Sequence, residues 1–267
     1  MLELTLQGML SSARSQGLRI LLIVVLLLLG SAILAASFSA RQPLTVALDI
    51  GFTGMRLLLL LMALLWAQEL FARDIERKTL YFVLAYPISR RRYLIARYCS
   101  AALLTGFCVL LVGGLLWLAV TFYGSSYAQA TPPALDSRFI AILFGIWLDL
   151  LVVLAFAFFL ASVSTTPFLP LLLGLAFALA ARGLGPTSDY LRSSQLARAD
   201  QPDWLIALLE YSFAWLPDLS RLDWRAWALY NLPADWQSSL IAVIMALAYI
   251  ALLLSLAGSI FSRRNLT

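Results

Sequence analysis

The chain has 267 residues, of which 62% are hydrophobic and only 12% charged, and its mean hydropathy is +0.90. Soluble domains are roughly 45–50% apolar, so this composition excludes an ordinary soluble domain and makes the bilayer the main solvent. The net charge of +5 follows from basic residues gathered on one side of a membrane, with no need of nucleic acid.

The sequence contains no His, which removes His-based triads, H-E-x-x-H zinc sites and His-ligated haem. Its two cysteines, Cys99 and Cys108, fall on one expected helix roughly 13 Å apart, too far to pair with each other. The N-terminus has no small-residue cleavage site after a short apolar core, so no removable signal peptide is expected. No internal repeat is visible.

Residues 1–18 alternate apolar and polar at roughly helical spacing (Leu2, Leu6, Met9, Leu10, Ala13), as in an interfacial helix. A first span is expected at 20–38, with Arg14 and Arg19 before it, and the N-terminus is therefore expected inside. A second span is expected at 47–68. Asp49 and Arg56 lie in its outer half, where Arg56 must snorkel outward or find a partner. Met55 and Met62 share a face of it, and packing is the reading for them rather than metal.

The stretch 68–97 is the long charged island on the basic side. It carries Arg73, Arg77, Lys78, Arg90, Arg91, Arg92 and Arg97, including the only Lys of the chain. No Pro or Gly occurs between Gly54 and Pro87, so a helix leaving the membrane continues into it. Pro87 then stops that helix, and Ser89 caps a new one that starts on three arginines.

A third span is expected at 98–122, with Gly106, Gly113 and Gly114 suited to close helix packing. The fourth, at 139–163, contains Asp149, either a substrate- or proton-path residue, a hydrogen-bond partner for a neighbouring helix, or a snorkelling residue near the outer leaflet. Ser162, Ser164, Thr165 and Thr166 beside an uncharged turn have no base to activate them, so they read as packing and turn residues. The fifth span, 168–182, is expected to end at Gly183, Gly185 and Pro186, with Arg182 at the outer boundary.

Residues 183–237 form a long outer segment. Within it a helix near 203–215, interrupted by Glu210 and too short to span, is expected to be interfacial or re-entrant. The following Trp and Tyr residues suit a headgroup belt. A last span at 238–260 precedes Arg263 and Arg264.

The fold class expected is an all-α integral membrane protein with six transmembrane helices and both termini inside. The inside then holds eleven basic and four acidic residues, the outside eight and ten. A seventh span would move Arg263 and Arg264 outside, against that balance.

The stretch Glu69, Glu76, Thr79, Leu80, Leu84, Pro87, Ile88, Ser89, Arg90 and Arg97 resembles the signature region of ABC-2-type transporter permeases. Six spans, an interfacial N-terminal helix and a long segment before the last span are also similar to that family, over the whole chain. Two departures are visible. Lys78 stands where a Gly usually precedes the Thr, which favours a more regular helix, and Ala96 precedes Arg97 where Gly-Lys is common. The outer run 217–224 is similar to a loop in permeases associated with multicopper-enzyme maturation, but with no His, two Cys and five Met nothing here would carry copper.

The resemblance implies a single permease domain working in the bacterial inner membrane as the transmembrane half of an exporter. It implies a coupling element at 69–90, with Glu69, Arg73, Asp74, Glu76, Arg77, Lys78, Thr79, Leu80 and Pro87 docking into a separate cytosolic ATPase. It also implies a homodimer, or a pair with a similar permease, bound to two ATPase copies within membrane lipid. ATP and Mg would be held by the ATPase, and the chain itself is expected not to be an enzyme: Lys78 lacks the preceding Gly of a phosphate-cradling loop. Asp149, Arg182 and Glu210 are candidate translocation-path residues, and an amphipathic or lipid-like substrate is the default for apolar walls. The competing readings are an intramembrane lipid-modifying enzyme using Asp149, Glu210 and the outer Asp/Arg/Trp segment, and a membrane scaffold that transports nothing.

Overall fold

A computed structural model describes residues 16–39, 41–72, 89–124, 132–164, 166, 168–193, 211, 215–233 and 235–263. All regular structure among them is helical. In chain order the helices are α1 (Gln16–Phe38), α2 (Pro43–Ala67), a π-helical turn (Gln68–Ala72), α3 (Arg90–Gly124), α4 (Ser137–Val163), α5 (Phe168–Ser193), a 3-10 turn (Leu219–Leu222), α6 (Arg225–Leu229) and α7 (Trp236–Arg263). Five helical stretches are long and apolar enough to cross a membrane: Pro43–Phe71, Arg90–Phe122, Ser137–Val163, Phe168–Thr187 and Trp236–Arg263. Ile23–Phe38 is a shorter apolar helix. The expected helix at 203–215 and the tail before Gln16 lie outside the described residues, Tyr211 and Trp215 apart.

Local chemistry sets most of the ends. Pro43 opens α2 at the position where a missing N–H costs nothing. Asp136 caps α4, its carboxylate accepting from the Arg138 amide at 3.0 Å. Asp235 caps α7 in the same way, accepting from the Ser238 amide at 3.3 Å. α3 begins at Arg90, and the Ser89 carbonyl accepts from the Tyr93 amide at 3.1 Å.

The end of α5 differs from expectation. The helix runs through Gly183, Gly185 and Pro186 to Ser193, with Pro186 inside it. A helix that stopped among apolar neighbours would leave backbone groups unsatisfied, which costs more than one missing proline N–H. The Thr187 hydroxyl donates to the Gly183 carbonyl at 2.7 Å.

α4 is the hub. It touches α2, α3, α5 and α7, while α1 packs mainly along α2. Gly106 and Gly113 of α3 admit Trp147 and Leu143 of α4, and the Trp147 indole donates to the Ala102 carbonyl at 3.1 Å. Gly114 meets nothing within 4 Å. Met55 and Met62 are both buried in the apolar core, as packing residues.

At the basic end the π-helical turn closes α2. Its Phe71 is fully buried. The ring stacks on Phe158 of α4 at 5.2 Å and meets Phe261 of α7 edge-on at 5.3 Å. Tyr98 of α3 meets Phe158 at 5.7 Å with its ring perpendicular. Four helices are thus pinned at the π-helical turn, which immediately precedes the charged stretch in the sequence.

Candidate functional site

Asp49, Thr53 and Arg56 are spaced four and three residues apart, so α2 presents them on one face. Asp149 comes from the middle of α4 and Arg182 from α5. The outer segment supplies Asp223 and Arg225. The fold gathers these into a single chain of ion pairs: Asp49, Arg225, Asp223, Arg56, Asp149, Arg182.

Arg56 uses every nitrogen of its guanidinium. Nε donates to Asp149 Oδ2 at 2.7 Å, Nη1 to Asp223 Oδ2 at 3.0 Å and Nη2 to the Leu219 carbonyl at 3.1 Å. Asp149 has no exposed surface. Its Oδ2 also accepts from Arg182 Nη2 at 2.7 Å, and its Oδ1 from Arg182 Nε at 3.5 Å. Arg225 forks onto Asp223 through Nη2 at 2.7 Å and Nε at 2.8 Å, and its Nη1 reaches Asp49 at 3.0 Å and the Thr53 hydroxyl at 2.6 Å.

Three carboxylates and three guanidiniums sum to zero charge. The reason is energetic: an unpaired ion in an apolar interior is costly, whereas a hydrogen-bonded pair is tolerable. Every charge of α2, α4 and α5 in this region is therefore matched, and two of the matches come from outside the spans.

The 3-10 turn seats the outer segment. Asp218 caps it, accepting from the Ser220 amide at 3.1 Å and the Ser220 hydroxyl at 2.6 Å. Leu219 and Leu222 are buried. The turn approaches α5 so closely that a side chain at Gly185 would run into the Ser220 hydroxyl, and α4 so closely that one at Gly145 would meet the Leu222 carbonyl. Trp224 lies over Gly145 and stacks parallel on Trp227 at 5.3 Å. The expected aromatic belt is thus divided: Trp224 is packed in the bundle, whereas Tyr230 and Trp236 are exposed.

Of the residues singled out from sequence, Asp149 and Arg182 come together, and Arg182 is a largely buried partner of Asp149. Glu69 sits in the π-helical turn at the opposite end. Arg73, Asp74, Glu76, Arg77, Lys78, Thr79, Leu80 and Pro87 lie outside the described residues, as does Glu210. Sequence reasoning left Asp223 and Arg225 without individual roles. Charge accounting does not find them, since Arg56 and Arg182 already balance Asp49 and Asp149 within the spans; the pairing follows from distance in space. Chemically, Asp149 is engaged by two guanidiniums. The Ser162 hydroxyl donates to the Phe159 carbonyl and the Ser164 hydroxyl to the Thr166 carbonyl, at 2.6 and 3.2 Å. These are packing and turn contacts.

A sequence model of the family described as ABC-2 family transporter protein matches residues 13–208. The chain belongs to the ABC-2 transporter family. It is accordingly a multi-pass membrane protein and the membrane component of a transporter, a part that in this family is not itself catalytic. No curated protein matches the chain. Arg56, Asp149 and Arg182 lie inside the matched range of this ABC-2 component. Asp223, Arg225 and the run 217–224 lie beyond it.

Burial raises the Asp223 carboxyl, but hydrogen bonds from Arg225 and the charges of Arg56 and Arg225 outweigh it and hold its pKa below the usual value. The hydrogen bond to Asp223 raises the Arg225 guanidinium above its usual value, against burial. A lowered carboxyl contributes stability that is present above its unfolded value of ~3.9 and lost as pH falls through the folded value. The raised guanidinium contributes stability present below its own unfolded value, and so throughout the accessible range. Thermal stability of the detergent-purified protein is therefore expected to be level from about pH 8 to about pH 5 and to fall below about pH 4. Asp223→Asn should flatten the acid limb. A loss already complete by about pH 6 would contradict this assignment.

Proposed function

We propose that this chain is the permease subunit of an ATP-driven exporter, with six spans, that binds its ATPase through the stretch 69–90. On this reading α1 is the sixth span, and its 23 residues are enough for a bilayer. Two copies line a central path, and two ATPase subunits hold ATP and Mg. Both termini face the cytoplasm of a bacterial inner membrane, the side to which Arg90, Arg91, Arg92 and Arg263 belong.

The observation that carries the reading is the anchoring of Phe71. A docking element can pass on the motion of an ATPase only if it is fixed to the spans. Here the residue that leads into it is clamped between α3, α4 and α7. Arg56 stands 13 residues from Glu69 on the same continuous helical path, about 20 Å away, so α2 links the docking end to the ion network. Asp149 and Arg182 serve the path as a fixed point that holds α4 to α5, and Arg56 ties that point to the outer turn. Glu210, which lies outside the described residues, is the third candidate for the path. An amphipathic or lipid-like substrate fits the apolar walls. The enzyme reading needs a free Asp149, and its oxygens are taken by Arg56 and Arg182.

Co-purification from mild detergent tests the proposal. Wild type is expected to retain a nucleotide-binding subunit that the variant Glu76→Arg with Leu80→Asp loses. If neither retains one, 69–90 is only a basic loop and the exporter reading falls.

A further inference from the structure

Beside the network, one further feature combines a cavity with a charge that forms no ion pair among the described residues. Where the start of α3 crosses the end of α7, a groove of about 380 Å³ is lined by Arg91, Ile95, Ala251, Leu254, Ser255, Gly258 and Ser259. The α7 members recur at 251, 254, 255, 258 and 259, the spacing of one helix face, and span ~12 Å along it. Gly258 is the floor. The Arg91 stem lies on it, with Cγ 3.4 Å from where a methyl would stand.

The polar groups are unequal. The Ser255 hydroxyl donates to the Leu252 carbonyl and that of Ser259 to the Ser255 carbonyl, each at 2.8 Å. Those donors are spent within α7. Arg91 is exposed and forms no ion pair with any described carboxylate. Exposed Arg92 and Arg263 stand at the same ends of α3 and α7, so the potential there is positive.

We infer that this groove binds one anionic phospholipid, with the headgroup phosphate on Arg91 and an acyl chain along Ile95, Ala251 and Leu254. A guanidinium pairs with phosphate through two parallel N–H donors. The apolar wall continuing from it along two spanning helices suits an acyl chain and gives nothing to a soluble anion. Charge complementarity selects an anionic over a zwitterionic headgroup.

Native mass spectrometry of the full chain in mild detergent tests this, with phosphatidylglycerol and phosphatidylcholine of matched chains as probes. Wild type should retain one phosphatidylglycerol in preference to phosphatidylcholine. Arg91→Ala should lower that retention about fivefold, whereas Arg92→Ala, which keeps the groove intact, should change it less than about twofold. Ser255→Phe, which fills the groove from an exposed position and keeps Arg91, should lower it as well. Equal losses for Arg91→Ala and Arg92→Ala would overturn the site in favour of a diffuse basic band. Equal retention of both lipids would leave only an acyl groove. Displacement by millimolar inorganic phosphate would make it a soluble-anion site. Any of these three results refutes the proposal.

Discussion

Asp149→Leu is expected to destabilise the fold by ~3–5 kcal/mol, the cost of breaking a buried ion pair by removing one partner. Asp149 is wholly enclosed, and the side chains of Arg56 and Arg182 are only 11% and 15% exposed. Its removal leaves the Arg182 guanidinium on α5 without its carboxylate and Arg56 on α2 with Asp223 alone, both side chains largely enclosed. Against a typical total of about 5–15 kcal/mol, the loss should appear as a collapse of monodisperse yield and a sharp drop in Tm. The triple variant Arg56→Met, Asp149→Leu, Arg182→Met should recover much of the lost stability, because an apolar replacement of a whole buried cluster is often neutral. Recovery should stay incomplete, since the Leu219 carbonyl and Asp223 lose the donors of Arg56. An unchanged Tm for Asp149→Leu would mean that the arginines are solvated and that the cluster is no structural lock.

Gly145→Val is expected to unseat the outer turn at a cost of ~1–3 kcal/mol, the usual penalty of overpacking. A Cβ at Gly145 would stand 2.5 Å from the Leu222 carbonyl oxygen and 3.2 Å from the Trp224 ring. The first of these is backbone and cannot rotate away. The turn would have to move outward, carrying Leu219 and Asp223 from Arg56. Hydrogen exchange of amides 219–224 should therefore rise together with the fall in Tm. Gly114→Ala is the matched control. With nothing within 4 Å of that position, it should gain ~0.5–1 kcal/mol from helix entropy alone. If both variants behave alike, close approach of the turn is not what requires glycine at 145.

The membrane character, the helical class and the approximate positions of the apolar helices were legible in the sequence, because each rests on local quantities: apolar run length, caps, and charges that cannot sit in lipid. That Arg56 must either snorkel outward or find a partner was legible for the same reason. Which partner it takes was not. Asp149 lies 93 positions from it and Asp223 167, and no local pattern encodes a pairing across three helices and a loop. The continuation of α5 through Gly185 and Pro186 likewise depends on its neighbours. Read alone, those residues break a helix. In the bundle the low dielectric penalises a broken backbone, and the missing side chain at Gly185 makes room for the outer turn. The sequence by itself determined that this chain lives in a membrane and where its charges concentrate. Tertiary packing alone decided that three of its arginines and three of its aspartates neutralise one another, because ion pairing in an apolar interior is selected by distance in space.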